Sequence, residues 1–287
     1  MANILISDFN LGELASNGSA VGEQTLIDEF NLDFIRSTDV KGFNKDDFYV
    51  ISNISLMKPH LVSQIKDYNY IIFECDYKIV ASRHPWRYPN DLVPKKDRIN
   101  YDLYENAKAV FVKSTDHMNV FKKNEVKGKF INMRTNIWSE SDLNLMEEIY
   151  NKTKEKNGLH CVYNSKNWIK NTEGSIKYCQ DNNIKYGQIG DSPTREQFLR
   201  SMANYSTFLF FPIARETYCR IVIEAKCLGL DVTTTYVGPS STNRNKNNYG
   251  VTQEDYYPLK GKEMIDYLRI GNKINIAQMK KYIQKND

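Results

Sequence analysis

Two glutamates, Glu216 and Glu224, stand eight positions apart within TFLFFPIARETYCRIVIEAKCLGLDVTTT, residues 207–235. Ionised carboxylates accept hydrogen bonds from hydroxyl groups, so a converging pair suits a hydroxyl-rich ligand. Spacing leaves a second outcome open, in which one glutamate is solvated and the other caps a helix. Glu224 falls inside the apolar run IVIEAKCLGL, and a buried carboxylate needs partners. The flanking runs say where the pair sits. FLFFP reads as a buried strand closed by Pro212, RIVIEAKCLG as a helix ended by Gly229, and DVTTT as the next strand. Such a unit puts both carboxylates near the C-terminal end of a parallel strand, where open α/β sheets bind ligands and a helix N-terminus offers N–H groups to phosphate.

The same pattern recurs along the chain. NILISD, FYVISN, YIIFECD and AVFVKS read as strands whose continuous apolar character suits a parallel sheet. LGELASNGSAVGEQTLIDEF passes from a small polar loop into a helical pattern. Asn17, Gly18 and Ser19 in that loop let a phosphate or sugar approach the backbone, and equally fit an ordinary turn. Residues 139–158 form an amphipathic helix with acids early and lysines late, matching the helix dipole, and mark a domain boundary. Beyond it HCVYNS and IKYGQIG read as strands, GSIKYCQDNN and PTREQFLRSMANY as helices. Length and pattern together predict an α/β protein of two Rossmann-like domains, residues 1–150 and 151–287, with an amphipathic tail from Lys262 packing back across both.

Composition narrows the function classes. No apolar run approaches the ~20 residues that span a bilayer, and the first ten residues lack the pattern of a signal peptide, so a soluble cytoplasmic protein is expected. Five cysteines without a CxxC pair read as reduced thiols, and four scattered histidines give no metal-binding cluster. The net charge is only +4, but residues 78–134 hold 13 Lys/Arg against 6 Asp/Glu. That excess fits either a solvated surface or a polyanionic partner. Within it, Tyr77–Ile99 carries three prolines and interleaves Trp86 and Tyr88 with Lys78, Arg83, Arg87, Lys95, Lys96 and Arg98. This composition suits nucleic-acid contact, and suits equally a loop pinned to its own domain by Trp86.

The chain resembles the retaining GT-B glycosyltransferases of family 4, whose second domain carries an E-x7-E motif followed by A-x-x-x-G. Glu216, Tyr218, Glu224, Ala225 and Gly229 stand at positions usually filled by Glu, Phe, Glu, Ala and Gly, and Val237-Gly238 matches the small turn after the next strand. Cys219 replaces a common Gly and Arg220 a common Leu, which brings ETYCRIVIEAKCLG nearer to the phage-encoded form of the motif. The family's basic pair after the first strand of that domain corresponds to Lys166 and Lys170 in YNSKNWIKNTEG; Lys170 matches well, while Lys166 only approximates the arginine and the flanking glycines are replaced.

The resemblance implies two Rossmann-like domains facing a cleft, a nucleotide-sugar co-substrate of the UDP type, no prosthetic group and no metal. It implies donor contacts from Asn17, Gly18, Ser19, Lys166, Lys170, Gly190, Glu216, Thr217, Tyr218, Arg220 and Glu224. Glu216 would lie beside the transferred sugar and Glu224 on the ribose hydroxyls. Lys166 and Lys170, the helix N-terminal amides near Tyr218 and Arg220 would stabilise charge on the departing diphosphate. No protein nucleophile is required, since the incoming hydroxyl attacks from the leaving-group face and a phosphate accepts its proton. Asp76, at the end of FECDYK beside Glu74, is the expected acceptor-side carboxylate, with Arg83, Trp86, Arg87 and Tyr88, and fits equally an anchor for the loop that follows it. The phage-like motif and the basic aromatic loop resemble phage enzymes that glycosylate or arabinosylate 5-hydroxymethylcytosine in double-stranded DNA. A surface glycan or lipid-linked sugar as acceptor, and a binding protein without catalysis, are the alternatives.

Overall fold

The computed structural model describes residues 2–9, 18–153, 155–190, 192–214, 216–234 and 258–283. The chain divides into two compact units, one formed by residues 1–137 and 271–287, the other by residues 138–270. The helix that the sequence marks as a boundary, Glu140–Lys152, lies inside the second unit, with Leu143, Met146 and Ile149 in that unit's core. The C-terminal helix Lys262–Ile283 is continuous across the second division point. Met264, Ile265 and Leu268 belong to the second unit's core, Met279 and Ile283 to the first's.

The first unit holds a six-stranded parallel sheet: β1 Asn3–Ser7, β2 Asp33–Arg36, β3 Phe48–Ile51, β4 Asn69–Phe73, β5 Val110–Val112 and β6 Phe130–Asn132, in the order β2-β1-β3-β4-β5-β6. Alternation along the strands splits the core between two faces. Ile4, Tyr49, Ile51, Tyr70, Ile72 and Val110 pack on one side, while Leu5, Phe48, Val50, Ile71, Phe73 and Phe111 pack on the other with Leu26 and Phe30 of the helix Gly18–Phe30. Four of these strands follow from the sequence. The edge strands β2 and β6 do not, because DFIR and FIN are short, half-exposed and without an apolar run.

The second unit holds a four-stranded parallel sheet: β7 His160–Tyr163, β8 Tyr186–Ile189, β9 Thr207–Leu209 and β10 Asp231–Thr233, ordered β10-β9-β7-β8. The chain leaves β7 for β8 on one side and returns to β9 on the other, so the C-terminal ends of β7 and β9 bound a topological switch point. Arg220–Cys227 is the helix expected after β9, and Gly229 at φ +77° turns the chain out of it. None of the described helices is long and apolar enough to cross a membrane.

Candidate functional site

The switch point brings together the residues with the sharpest sequence signal. After β7 the chain makes a single 3-10 turn, Trp168–Lys170, stabilised by Ile169 N–H donating to Asn167 Oδ1 at 3.1 Å. The next residue, Asn171, adopts φ +52°; its Oδ1 accepts from Gly174 N–H, capping the helix Thr172–Asp181, and its Nδ2 donates to Phe211 O at 2.8 Å. Ile213 N–H donates to Ile169 O at 2.8 Å. Two bonds therefore staple the lysine-bearing turn to the segment that leaves β9, and Lys170 Nζ reaches Glu216 Oε1 at 2.5 Å. Burial disfavours the ammonium, but the Glu216 carboxylate holds the Lys170 pKa above its ordinary value. Both side chains remain about a quarter exposed, at 25% and 22%, so a ligand can reach them. On the same turn Trp168 is 61% exposed, and Lys166 just before it is exposed as well.

Glu224 is buried, and its partners come from far along the chain. Arg195 donates from NH2 to Glu224 Oε1 at 2.7 Å and from Nε to Asp142 Oδ1 at 2.8 Å. Arg220 mirrors this, with Nε 3.2 Å from Glu224 Oε1 and NH2 2.8 Å from Asp142 Oδ2, while its guanidinium lies 3.9 Å from the centroid of the Trp138 ring. Two carboxylates and two guanidiniums thus close a neutral ring. Ser139 caps Glu140–Lys152 to place Asp142, and Thr194 caps the helix Arg195–Ala203 to place Arg195 at its first position. Burial and then the Arg195 charge push Arg220 down to about 10, while Asp142 is held below the carboxylate range by the two arginines despite its burial. Arg195, Asp142 and Trp138 carry no motif of their own in the sequence; the signal that points toward them is the polar demand of a glutamate inside an apolar run.

The remaining donor-side candidates divide. Tyr218 packs into the core of the unit and Thr217 is buried. Burial, followed by the Glu216 charge, pushes the Cys219 thiol up, so it stays a neutral thiol rather than a thiolate nucleophile. At Gly190 a Cβ would stand 2.6 Å from Asn164 O, so only glycine fits this approach of the loops after β7 and β8. Gly190 also lines an open groove of about 430 Å³ with Gln188, Ser192 and Tyr205. Gly18 is exposed at the start of its helix and Ser19 half-buried; Asn17 and Val237-Gly238 lie outside the described residues.

In the first unit, Glu74 and Asp76 follow β4. Glu74 is fully buried and accepts from Lys78 Nζ at 2.5 Å and Tyr104 OH at 2.5 Å. Asp76 is partly exposed and pairs with Arg83 NH1 at 2.9 Å and Lys78 at 3.7 Å; Arg83 also donates to Asn53 Oδ1 at 3.3 Å. Burial opposes the Lys78 ammonium, yet Glu74 and Asp76 keep its pKa above the ordinary value. His117 Nε2 donates to Asp76 O at 2.7 Å, and burial drives its pKa down to about 3, so the ring is neutral.

The loop Tyr77–Ile99 closes on itself. Its ends meet through an antiparallel bridge between Val80 and Arg98 and through Ile99 N–H donating to Ile79 O at 3.0 Å. Trp86 is buried, with Arg87 over its ring at 5.7 Å. Trp86 is thus enclosed rather than displayed, and Pro85 and Pro89 each open a short 3-10 turn of the loop. Tyr88 is half-buried, whereas Arg87, Lys95 and Lys96 are exposed. All five cysteines are buried, and no disulfide joins them among the described residues. Nor does any group of three or more His, Cys, Asp or Glu among those residues stand close enough to hold a metal ion.

No protein-family model and no curated protein matches the sequence. Solved structures do resemble the fold. A trehalose-6-phosphate protein from E. coli bound with UDP-2-fluoro glucose is 8% identical, with a TM-score of 0.51 over 100% of this chain and 96% of that one. The pneumococcal O-GlcNAc transferase GtfA, in complex with UDP and GlcNAc, gives 13% identity and a TM-score of 0.46; 85% of this chain is covered and it spans 58% of GtfA. Anabaena HepE with UDP and glucose gives 12% and 0.42, over 100% of this chain and 93% of that one. At such identities likeness speaks for architecture alone, and the chain has an α/β fold with parallel sheets of the kind found in GT-B glycosyltransferases.

Proposed function

We propose that this protein is a retaining glycosyltransferase that moves a sugar of the glucose or arabinose type from a UDP-type nucleotide donor to a hydroxyl group. The observation that carries the reading is the Lys170–Glu216 pair, part-exposed at the β7/β9 switch point. An ammonium has three N–H donors. With one on Glu216, the others are available to a diphosphate, so the same lysine that orients the sugar-side carboxylate also meets charge on the leaving group. Lys166 adds a second cation, and the two lysines take the neutralising role that a metal fills in metal-dependent transferases. Glu216 orients the sugar, and Glu224 accepts from the ribose hydroxyls through the carboxylate oxygen that its arginines do not engage. The E. coli structure of similar fold was bound with UDP-2-fluoro glucose, which supports a nucleotide-sugar donor.

For the acceptor we assign 5-hydroxymethylcytosine in double-stranded DNA, in the cytoplasm of a phage-infected host. Support comes from the phage-like motif ETYCRIVIEAKC and from the exposed cations Arg87, Lys95 and Lys96 on one loop. The target base would be flipped out, with cations on phosphates, Asp76 and Arg83 at the acceptor side, and Tyr88 rather than the buried Trp86 against the displaced stack.

Incubation with UDP-glucose or UDP-arabinose and either hydroxymethylated or unmodified DNA, followed by digestion to nucleosides and mass spectrometry, tests both parts. A heavier nucleoside only from hydroxymethylated DNA is expected. Donor turnover without modified nucleoside moves the acceptor to a glycan or lipid-linked sugar; donor binding with neither transfer nor hydrolysis leaves a non-catalytic binding protein.

A further inference from the structure

Arg195 opens its helix directly after the Thr194 cap, and its guanidinium is the only link in the ion-pair ring that is both anchored to Asp142 and appreciably exposed, at 21% against 6% for Arg220. Both guanidinium bonds to Glu224 fall on Oε1, and among the described residues no hydrogen bond reaches Oε2. Turning the carboxylate about its terminal torsion would break two charge-assisted hydrogen bonds. Asp142 holds a second nitrogen of each guanidinium, Nε of Arg195 and Nη2 of Arg220, and Trp138 lies against the Arg220 face. Oε2 is thereby kept in one place rather than free to seek another donor.

We infer that Arg195, braced by Asp142, is a positioning residue that sets the discrimination between ribose and 2′-deoxyribose at Glu224; this rests on the donor reading above. A carboxylate that can rotate loses little when a ligand hydroxyl is missing, because it finds water instead. A locked one is left desolvated and unpaired, and a site built to bond a hydroxyl rejects the analogue without it strongly. Neither Arg195 nor Asp142 needs to touch the ligand for this. Their contribution is the immobility of Glu224.

Calorimetric titration of UDP and 2′-deoxy-UDP into the full chain tests it, comparing wild type with Asp142→Asn, Arg195→Lys and Glu224→Gln. Wild type is expected to prefer UDP by roughly tenfold or more. Glu224→Gln should remove most of that preference. Asp142→Asn and Arg195→Lys should lower the ratio of the two affinities by roughly threefold to tenfold, the usual size of coupling between touching residues, while far-UV circular dichroism stays native. A ring that only ties helices together would lower the melting temperature and leave the ratio alone, so an unchanged ratio in either folded variant overturns the inference. Equal affinity of wild type for the two nucleotides overturns it while leaving the donor reading in place. Failure of wild type to bind UDP overturns both.

Discussion

Lys170 Nζ lies 2.5 Å from Glu216 Oε1, joining the loop after β7 to the loop after β9 across the switch point of the second sheet. The pair is separated by 46 positions in sequence, yet two backbone-directed bonds staple its loops together. Preorganisation of this kind favours charge stabilisation, because the cation need not be recruited when the leaving group develops charge.

Replacing Lys170 by Gln should therefore lower single-turnover transfer by about 100-fold to 1000-fold, the range for loss of one preorganised stabilising donor. Lys166→Gln should cost less, since that lysine is exposed and lies outside the stapled turn. Rapid-quench assays at saturating donor distinguish the two. Equal losses would contradict this by giving Lys166 the same share of the leaving group's charge as Lys170.

The two glutamates should fail differently. Glu216→Ala is expected to bind UDP nearly as wild type does and to lose transfer, whereas Glu224→Gln should weaken UDP binding by about tenfold, the value of a hydrogen bond to a charged group. Calorimetry paired with a transfer assay reads both. Unaltered UDP affinity in Glu224→Gln would remove the ribose role from that residue.

Arg220→Met should destabilise the protein by about 3–5 kcal/mol, because Asp142 and Glu224 would then share Arg195 alone in a buried setting. Urea denaturation measures this directly. The double variant Arg220→Met/Asp142→Leu is expected to recover part of the loss, since it removes a carboxylate along with its partner.

Acid should destabilise the first unit through His117. Its pKa is about 3 in the folded chain against an ordinary 6.5, so between those values the unfolded state binds a proton that the folded state does not. Stability contributed by the neutral ring is present above pH 6.5 and is lost as pH falls, at up to about 1.4 kcal/mol per unit. Ordinary carboxylates stay ionised between pH 6.5 and 5, and the buried Glu23 and Asp76, whose pKa burial raises, are present in both proteins being compared. In that window thermal melts should show a steeper acid loss for wild type than for His117→Gln, and parallel curves would contradict this.

Much of the geometry around Lys170 and Glu216 is legible in the sequence because its signals are local. The strand, the loop glutamate, the helix and Gly229 follow one another within a single unit, and Lys170 follows its own strand by seven residues. What binds Glu224 is not local. Asp142 reaches Arg195 across 53 positions and Arg220 across 78, and periodicity carries no information about such pairings. The edge strands β2 and β6 escape for a related reason: their place is set by β1 and β5, to which they pair, rather than by their own polar residues. Trp86 looks the same in sequence whether displayed or buried, and only the closed ends of its loop decide which.

Of the chain's three tryptophans, Trp86 and Trp138 are buried and Trp168 stands 61% exposed on the turn that ends in Lys170. Water-relaxed, red-shifted emission should therefore come almost wholly from Trp168. The protein carries its own optical reporter two residues from the cation assigned to the diphosphate. Donor binding can be followed in the unlabelled chain as a change in that emission, with Trp168→Phe as the silent control.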